Sequence, residues 1–133
     1  MIFSGHDDAA IRIWSMSGEL LGEIVSSTSI LTGAPISAIE TNSSYLYAGD
    51  KRGYISVWNV SRLRDFCHDK LKNIVDINSI QMDLKFIICW RAHNNSIVDL
   101  KFNHVNRTIV SASLDESARI WQCHKGNFIG FLG

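Results

Sequence analysis

Three side chains in the last third of the chain have the types that hydrolytic enzymes use for nucleophilic catalysis. His93, Ser111 and Asp115 supply an imidazole, a hydroxyl and a carboxylate, the three groups of a serine-histidine-aspartate triad. The same groups also form buried hydrogen-bond networks that connect strands. Because the surrounding sequence is repetitive, as described below, a structural network is the favoured interpretation. We therefore expect no catalytic residues and no enzyme activity.

Two cysteine-histidine pairs and one glycine-rich turn are the other candidates for chemistry. Cys67-His68 and Cys123-His124 each place two metal-binding side chains next to each other. Adjacent residues on a strand point to opposite faces, which suits a single tetrahedral metal ion poorly. The segment Gly49–Gly53 is interpreted as a hairpin turn and not as a phosphate loop, because no helix is predicted to follow it. The sequence therefore predicts no metal and no cofactor.

The composition is that of a folded domain without a dominant charge. Hydrophobic residues make up 46% of the 133 residues, and 13 Lys and Arg balance 13 Asp and Glu. A net charge of zero argues against a nucleic-acid partner held by bulk electrostatics. The three cysteines are widely spaced, which favours free thiols and a cytoplasmic location. The N-terminal residues lack a signal-peptide pattern, and the longest apolar run, Phe86–Trp90, is too short to cross a membrane.

Three short segments of β-rich sequence end in tryptophan at similar intervals. They read Ile-Arg-Ile-Trp, Ile-Ser-Val-Trp and Ala-Arg-Ile-Trp, and they end at Trp14, Trp58 and Trp121. Each follows another β-rich segment and a polar turn, which is typical of an antiparallel meander. The first two tryptophans are 44 residues apart, about one period of a four-stranded repeat. The second interval is 63 residues, which indicates an insert of about 20 residues.

This pattern predicts eleven strands in three repeat units. The first unit, residues 1–25, is incomplete; the second spans 36–91 with an insert at 61–84; the third spans 93–133. Helical spacing of apolar residues in the insert predicts a helix or helical loop over Arg62–Val75, with Ser61 as its cap. The predicted strands are Met1–Ser4, Ala10–Trp14, Glu19–Val25, Ile36–Glu40, Tyr45–Gly49, Tyr54–Trp58, Lys85–Trp90, Ser96–Phe102, Arg107–Ser113, Ser117–Trp121 and Asn127–Leu132.

The third unit carries the most complete motif. It contains Ala92-His93, a strand, the sequence Ser-Ala-Ser-Leu-Asp ending at Asp115, and Arg-Ile-Trp ending at Trp121. This order resembles the WD40 repeat, whose pattern is Gly-His, a strand, Ser-x-Ser-x-Asp, a strand and Trp-Asp. Three such segments in phase imply an all-β fold: a partial WD40 β-propeller of about three blades with a helical or loop insert in the second blade.

The resemblance implies a buried polar network in each complete blade, formed by a histidine, a serine, an aspartate and a tryptophan. In the first blade the histidine would precede Met1. In the second blade only the tryptophan is retained, since Arg52 stands where the aspartate belongs. The corresponding residues are His93, Ser111 (or Ser113), Asp115 and Trp121 in the third blade, Ser4, Asp8 and Trp14 in the first, and Trp58 in the second.

The C-terminal end resembles one group of WD-repeat proteins more narrowly. The run Trp90–His93 and the closing segment Gly126–Gly133 are similar to a repeat in ciliary proteins that opens with Trp-x-Ala-His and closes in a Gly-x-x-Ile-Gly strand. This resemblance implies a non-catalytic protein-interaction scaffold and a structural component of the ciliary axoneme. The alternatives are a propeller module of an enzyme and a propeller that binds nucleic acid.

A partner surface is expected where turns meet at one rim of the propeller. Strands pack blade on blade, so the turns are left to contact partners. Open strand edges at both ends lead us to expect a part of a longer propeller, which self-associates when isolated. The insert is expected at the opposite rim as a second site. The rim residues expected to bind a protein partner are Asp7, Lys51, Arg52, Asn94, Asn95 and Leu114.

Overall fold

Short strands joined by tight turns build almost all of the described part of the molecule. The computed structural model describes residues 1–24, 33–63, 84–123 and 125–132. This part contains eleven strands, each within one residue of its predicted bounds, so the all-β prediction is confirmed. The strands are β1 (Ile2–Gly5), β2 (Ile11–Trp14), β3 (Leu20–Ile24), β4 (Ile36–Thr41), β5 (Tyr45–Asp50), β6 (Tyr54–Asn59), β7 (Lys85–Arg91), β8 (Ile97–Asn103), β9 (Thr108–Ser113), β10 (Ala118–Gln122) and β11 (Phe128–Leu132).

The strands form three separate antiparallel sheets, each a meander in which sequence neighbours pair. Sheet 1 contains β1 to β3, sheet 2 contains β4 to β7, and sheet 3 contains β8 to β11. The register makes the three sheets equivalent position by position. Trp14, Trp58 and Trp121 pair with Ile2, Leu46 and Ile109 on the preceding strand. Residues of one repeat can therefore be compared directly with those of another.

Each sheet packs face to face on the next through a β-branched side chain over a small residue. Ile36 begins β4 and lies against Gly5, and Ile97 begins β8 and lies against Gly49. A Cβ atom added at Gly49 would stand 2.7 Å from Cγ2 of Ile97, so even alanine would crowd this contact. The equivalent position in sheet 3 is Ala112.

Two hydrophobic cores fill the spaces between the sheets. One lies between sheets 1 and 2 and includes Ile11, Ile13, Leu46 and Trp58, and the other lies between sheets 2 and 3. Successive residues of a strand point to opposite faces of its sheet, so neighbouring residues of β5 such as Leu46 and Tyr47 enter different cores and this strand is buried on both sides. The second core is built from Tyr47, Ile55, Val57, Ala92, Ile97, Leu100, Ile109, Trp121 and Cys123.

The start of the predicted insert is visible, and its cap differs from the prediction. Residues 61–63 form a helical turn. Its backbone is capped by Asn59, whose Oδ1 accepts the Ser61 N–H at 3.0 Å and the Ser61 hydroxyl at 2.6 Å. Ser61 therefore donates to the cap and is not the cap itself. Leu63 is fully buried in the core between sheets 1 and 2. The rest of the predicted helix Arg62–Val75 lies outside the described residues.

No helix within the described residues is long and apolar enough to cross a membrane.

The turns between the strands that carry the repeat motif share one backbone conformation. Ala9, Gly53 and Glu116 occupy equivalent positions, and all have positive φ, at 66°, 90° and 68°. This left-handed conformation is free for glycine and costs about 1 kcal/mol or more for other residues. At Gly53 a side chain is also sterically excluded, because an added Cβ atom would collide with the carbonyl oxygen of His93.

We expect Gly53→Ala and Glu116→Gly to have opposite effects on stability. Gly53→Ala should lower the free energy of unfolding by about 2 kcal/mol or more, from backbone strain and the clash with His93. Glu116→Gly should leave it unchanged or raise it by up to about 1 kcal/mol, because it relieves the strained φ. Urea unfolding followed by tryptophan fluorescence measures both. A stable Gly53→Ala variant would show that the sheet 2–sheet 3 junction is looser than described.

Candidate binding rim and its buried polar network

Sheet 3 contains a continuous chain of hydrogen bonds that runs from its rim into its interior. The Nδ1 atom of His93 lies 2.9 Å from Oδ2 of Asp115, and its Nε2 atom lies 2.7 Å from Oγ of Ser111. The indole N–H of Trp121 donates to the same hydroxyl at 2.8 Å. His93 is 1% exposed and Ser111 is fully buried. Each polar group is thereby satisfied away from water.

Asp115 is the outer end of this chain and is held by several donors. Its Oδ1 accepts the Ser117 hydroxyl at 2.6 Å and the Ser117 N–H at 3.0 Å, while Oδ2 accepts the N–H of Asn94 at 3.2 Å. Burial by itself raises the pKa of the Asp115 carboxyl, but hydrogen bonds from Ser117 and His93 outweigh burial and hold that pKa well below its usual range. Asp115 is therefore the anionic anchor of the network.

The second candidate serine has a different task. The hydroxyl of Ser113 donates to the carbonyl oxygens of Asn95 and Ser96, at 3.1 and 2.9 Å, and accepts the N–H of Asp115 at 3.1 Å. It does not contact His93 in these hydrogen bonds. Ser111 is the network serine, and Ser113 fixes the loop that enters β8.

Arg119 is a member of this region that the sequence did not single out. Its Nη1 donates to the Ala92 carbonyl at 2.8 Å, its Nη2 lies 4.0 Å from Asp115, and its guanidinium lies 5.3 Å from the Phe131 ring centre. In sheet 1, Arg12 has the equivalent place and pairs with Asp8 at 2.6 Å. An Asp-x-x-x-Arg spacing shared by two repeats was the available signal.

Sheet 1 contains a shorter network with a different histidine. The Ser4 hydroxyl accepts the indole N–H of Trp14 at 2.8 Å and lies 2.7 Å from Nε2 of His6. His6 follows β1 in the turn to β2 and fills the role that we expected of a residue before Met1. Asp8 does not join this network, which corrects the prediction. Its carboxylate pairs with Arg12 and accepts the Ala10 N–H, and these bonds lower the pKa of Asp8.

Sheet 2 retains the tryptophan without the network. Ala48 stands at the serine position and offers no hydroxyl to Trp58, which is 2% exposed and packs edge to face on Phe86 with ring centres 5.9 Å apart. Arg52 leaves the turn without the expected aspartate. Asp50, two residues earlier, stabilises this turn instead: its Oδ1 accepts the N–H groups of Arg52 and Tyr54 at 2.8 and 3.0 Å. An aspartate commonly accepts backbone bonds from residues two positions ahead in turns.

Buried position and bonding decide between the catalytic and structural interpretations of the triad-like residues. A nucleophilic serine must reach a substrate, whereas Ser111 is fully buried and its hydroxyl contacts both His93 and Trp121. The geometry is that of a structural network. Cys123 is 4% exposed and lies in a hydrophobic core; His124, Cys67 and His68 lie outside the described residues.

The predicted rim residues lie at one end of the three sheets. Asp7, Lys51 and Leu114 occupy equivalent positions in three turns, and the side-chain Nζ of Lys51 lies 3.8 Å from Oδ1 of Asp7 across the boundary of sheets 1 and 2. Asn94 and Asn95 precede β8 at the same end and are exposed, as is Arg52. Leu114 is 60% exposed, and its N–H donates to Ser96 at 2.9 Å.

Comparison with known proteins shows one match to a repeat family and several solved structures with a similar fold. Residues 84–122 match the model of the family described as "WD domain, G-beta repeat". The solved structure of the RRP9 WD40 repeats has a TM-score of 0.72 at 20% identity, over 98% of this chain and 34% of that one. The structure of U3-55K has a TM-score of 0.70 at 21% identity, over 98% and 35%.

A computationally designed protein, Ika8, is similar as well. It has a TM-score of 0.66 at 17% identity, over 98% of this chain and 32% of the designed one. The chain thus spans about one third of the length of each of these three solved structures. At these identities the likeness establishes the fold alone: three blades of the WD40 propeller type. The family match covers β7 of sheet 2 and β8 to β10 of sheet 3.

We expect Asp115→Ala to be among the most damaging substitutions in sheet 3. It leaves His93, Ser117 and the Asn94 N–H without their acceptor, and should lower the free energy of unfolding by about 3 kcal/mol. Asp8→Ala, at the equivalent turn position without a histidine partner, is the matched control and should cost much less. Equal losses in urea unfolding would show that the turn alone, and not the histidine chain, accounts for the effect.

Acid should lower the free energy of unfolding by protonating the Asp115 carboxylate. Because folding lowers the pKa of Asp115, its contribution is complete above the unfolded-state pKa of about 4 and is lost as pH falls below that value toward the folded-state pKa. Asp115→Asn should be less stable at pH 6 and should lose less further stability between pH 4 and pH 2. If both proteins lost the same free energy of unfolding between pH 4 and pH 2, this linkage would be contradicted.

Proposed function

We propose that the chain is part of a longer WD40-type propeller whose rim binds another protein and has no catalytic role. The WD40 repeat match at residues 84–122 and the propeller-blade fold support this proposal. In such a fold the strands are buried between blades and the turns face partners. The rim formed by Asp7, Lys51, Arg52, Asn94, Asn95 and Leu114, called the turn rim below, is the proposed contact surface.

The observation that carries the proposal is the anchoring of this rim by the buried network. Asp115 accepts the backbone N–H of Asn94, Ser113 donates to the carbonyl oxygen of Asn95, and the N–H of Leu114 donates to Ser96. The loop before β8 and the turn after β9 are therefore fixed to each other. A surface that is ordered before binding loses less conformational entropy when a partner docks.

The chemistry of the turn rim suits a protein partner. Leu114 offers an exposed apolar side chain at a turn tip, and the amide side chains of Asn94 and Asn95 are exposed nearby. The exposed pair Asp7 and Lys51 presents both signs of charge. An apolar anchor with a polar surround is the usual composition of an interface centre and its border.

The narrower resemblance of the C-terminal residues to ciliary proteins supports a location for this activity. We take the partner to be another component of the ciliary axoneme, reached from the cytoplasm. A fluorescent fusion expressed in ciliated cells tests this location. Signal along the axoneme is the expected result, and a fusion confined to other compartments would contradict it.

Alanine substitutions on the turn rim should weaken partner binding without unfolding the protein. Leu114→Ala combined with Arg52→Ala should raise the dissociation constant by about tenfold or more, because an apolar anchor and a charge are lost together. Val105→Ala is the matched control, since Val105 is 89% exposed at a turn of the opposite rim. Calorimetric titration with an axonemal partner isolated by cross-linking measures this. Loss of binding only in variants that disturb the sheet packing would refute the turn-rim assignment.

A further inference from the structure

The last strand of sheet 3 forms an exposed apolar edge. Sheets 2 and 3 contact each other mainly through their first strands, β4 and β8, and diverge toward their last strands. β11 is the terminal strand of sheet 3, so one of its edges has no neighbouring strand within the described ranges. Four of its five residues have large apolar side chains that are 49% to 63% exposed, and they are Phe128, Ile129, Phe131 and Leu132.

The equivalent strands of the other two sheets are better protected. β7 begins and ends with the exposed cations Lys85 and Arg91, and its interior residues are half-buried. Most of β3 is buried, and it carries the charge of Glu23. Charged residues on an edge strand discourage pairing with another chain, whereas an uncharged, exposed edge invites it. β11 has no charged residue from Phe128 to Leu132, so this protection is absent there.

Phe131 occupies a position where sheet 1 has an ion pair. In sheet 1, Arg12 lies opposite Glu23 on the last strand, and its Nε is 3.4 Å from the carboxylate. In sheet 3 the equivalent Arg119 lies opposite Phe131, and its buried Nε has no hydrogen-bond partner among the described residues. An unpaired buried donor is unfavourable. Sheet 3 thus forgoes an internal ion pair and presents an exposed phenyl ring, and exposed apolar patches mark interaction surfaces.

Gly130, at the centre of the same edge, has no internal reason to be glycine. Its φ is not positive, and a Cβ atom added to it would have no neighbour within 4 Å among the described residues. Gly5 and Gly49, by contrast, each leave room for an isoleucine of the next sheet. Glycine within a strand lowers stability, and it often marks a place where another backbone approaches closely.

We propose that β11 pairs antiparallel with β11 of a second copy of this chain, about a two-fold axis at Gly130. In this register Phe128 lies opposite Leu132 of the other copy, and Ile129 lies opposite Phe131. Pairs of aromatic and branched apolar side chains are favourable between neighbouring strands, and no charge is buried. The contact is the same on both copies, as a two-fold interface requires.

The strand's lack of charge and its symmetry favour a second copy over a different partner. It presents no charge that would select a partner of either sign, and its own sequence supplies an apolar residue opposite each of its apolar side chains. The four side chains offer an area of a few hundred Å² per copy, less than the roughly 800 Å² of a stable complex, so the dimer is weak and reversible. The surface shares no residue with the turn rim, and each can fail its test without the other.

Sedimentation of the 133-residue chain between about 1 and 100 µM tests the proposal, and a reversible monomer–dimer equilibrium is expected. Phe131→Glu should raise the dimer dissociation constant about tenfold or more, because it places a charge on the edge. Its thermal midpoint should be unchanged or higher, since the new carboxylate can pair with Arg119 as Glu23 does with Arg12. Leu132→Lys charges the same edge without involving Arg119 and should weaken the dimer as well.

Val105→Glu is the matched control, because it also charges an exposed apolar residue and should leave association unchanged. Ala112→Asp charges the face of sheet 3 that is turned away from sheet 2 and should also leave it unchanged. Loss of association with Ala112→Asp alone would show that whole sheets stack between copies, and would overturn the proposal. A chain that stays monomeric throughout the concentration range, or association insensitive to both edge charges, would overturn it too.

A cysteine at the two-fold axis tests the register. Directly opposed residues of antiparallel strands have Cα atoms about 4.5 to 5.5 Å apart, which is within the range of a disulfide. Gly130→Cys should therefore give a disulfide-linked dimer under mild oxidation, whereas Val105→Cys should not. Equal cross-linking of both variants would show that the copies meet without this register, and would contradict the proposed pairing.

Discussion

The double hydrogen bond of the His93 ring is the interaction on which the organisation of sheet 3 depends. One nitrogen reaches the carboxylate of Asp115 near the surface, and the other reaches the Ser111 hydroxyl in the interior. His93 lies in the loop before β8, Ser111 lies on β9, and Asp115 lies in the turn after β9. The His93 side chain therefore connects the loop that leads into sheet 3 to the sheet's second strand and the turn that follows it. The same carboxylate then positions the backbone at Asn94. Interior packing and surface shape are thereby coupled in one chain of bonds.

The three sheets show how far this arrangement can be reduced while the fold persists. Sheet 1 has a serine, a tryptophan and a local histidine, and sheet 2 has the tryptophan alone. In both, the contact of an isoleucine with a glycine of the adjoining sheet is present. Apolar packing is thus sufficient to stack the sheets. The polar network fixes the conformation of the loop before β8 and the turn after β9. Hydrophobic burial supplies most of the driving force, whereas hydrogen bonds choose among similar packings.

The strands and the complete network of sheet 3 could be predicted from the sequence because both are encoded locally. Alternation of polarity and turn residues define each strand, and the motif offsets select His93, Ser111 and Asp115. The roles of His6 and Asp50 could not be predicted, since each replaces a missing residue from a different place in the turn. The cleft that Asn42 and Arg107 both line was equally hidden, because these residues are distant in sequence and meet only after sheets 2 and 3 have packed.

The small residue opposite each isoleucine has a consequence for how such repeats can be exchanged during evolution. Gly5 and Gly49 leave room for Ile36 and Ile97, whereas the equivalent Ala112 already occupies that space with a methyl group. A repeat copied from this chain and inserted after sheet 3 would bring an isoleucine to a position that no longer admits one. Duplication or shuffling of repeats would therefore need a compensating change on one side of the new junction. This restriction applies to the position of Ala112, whereas Gly5 and Gly49 both leave room for an isoleucine.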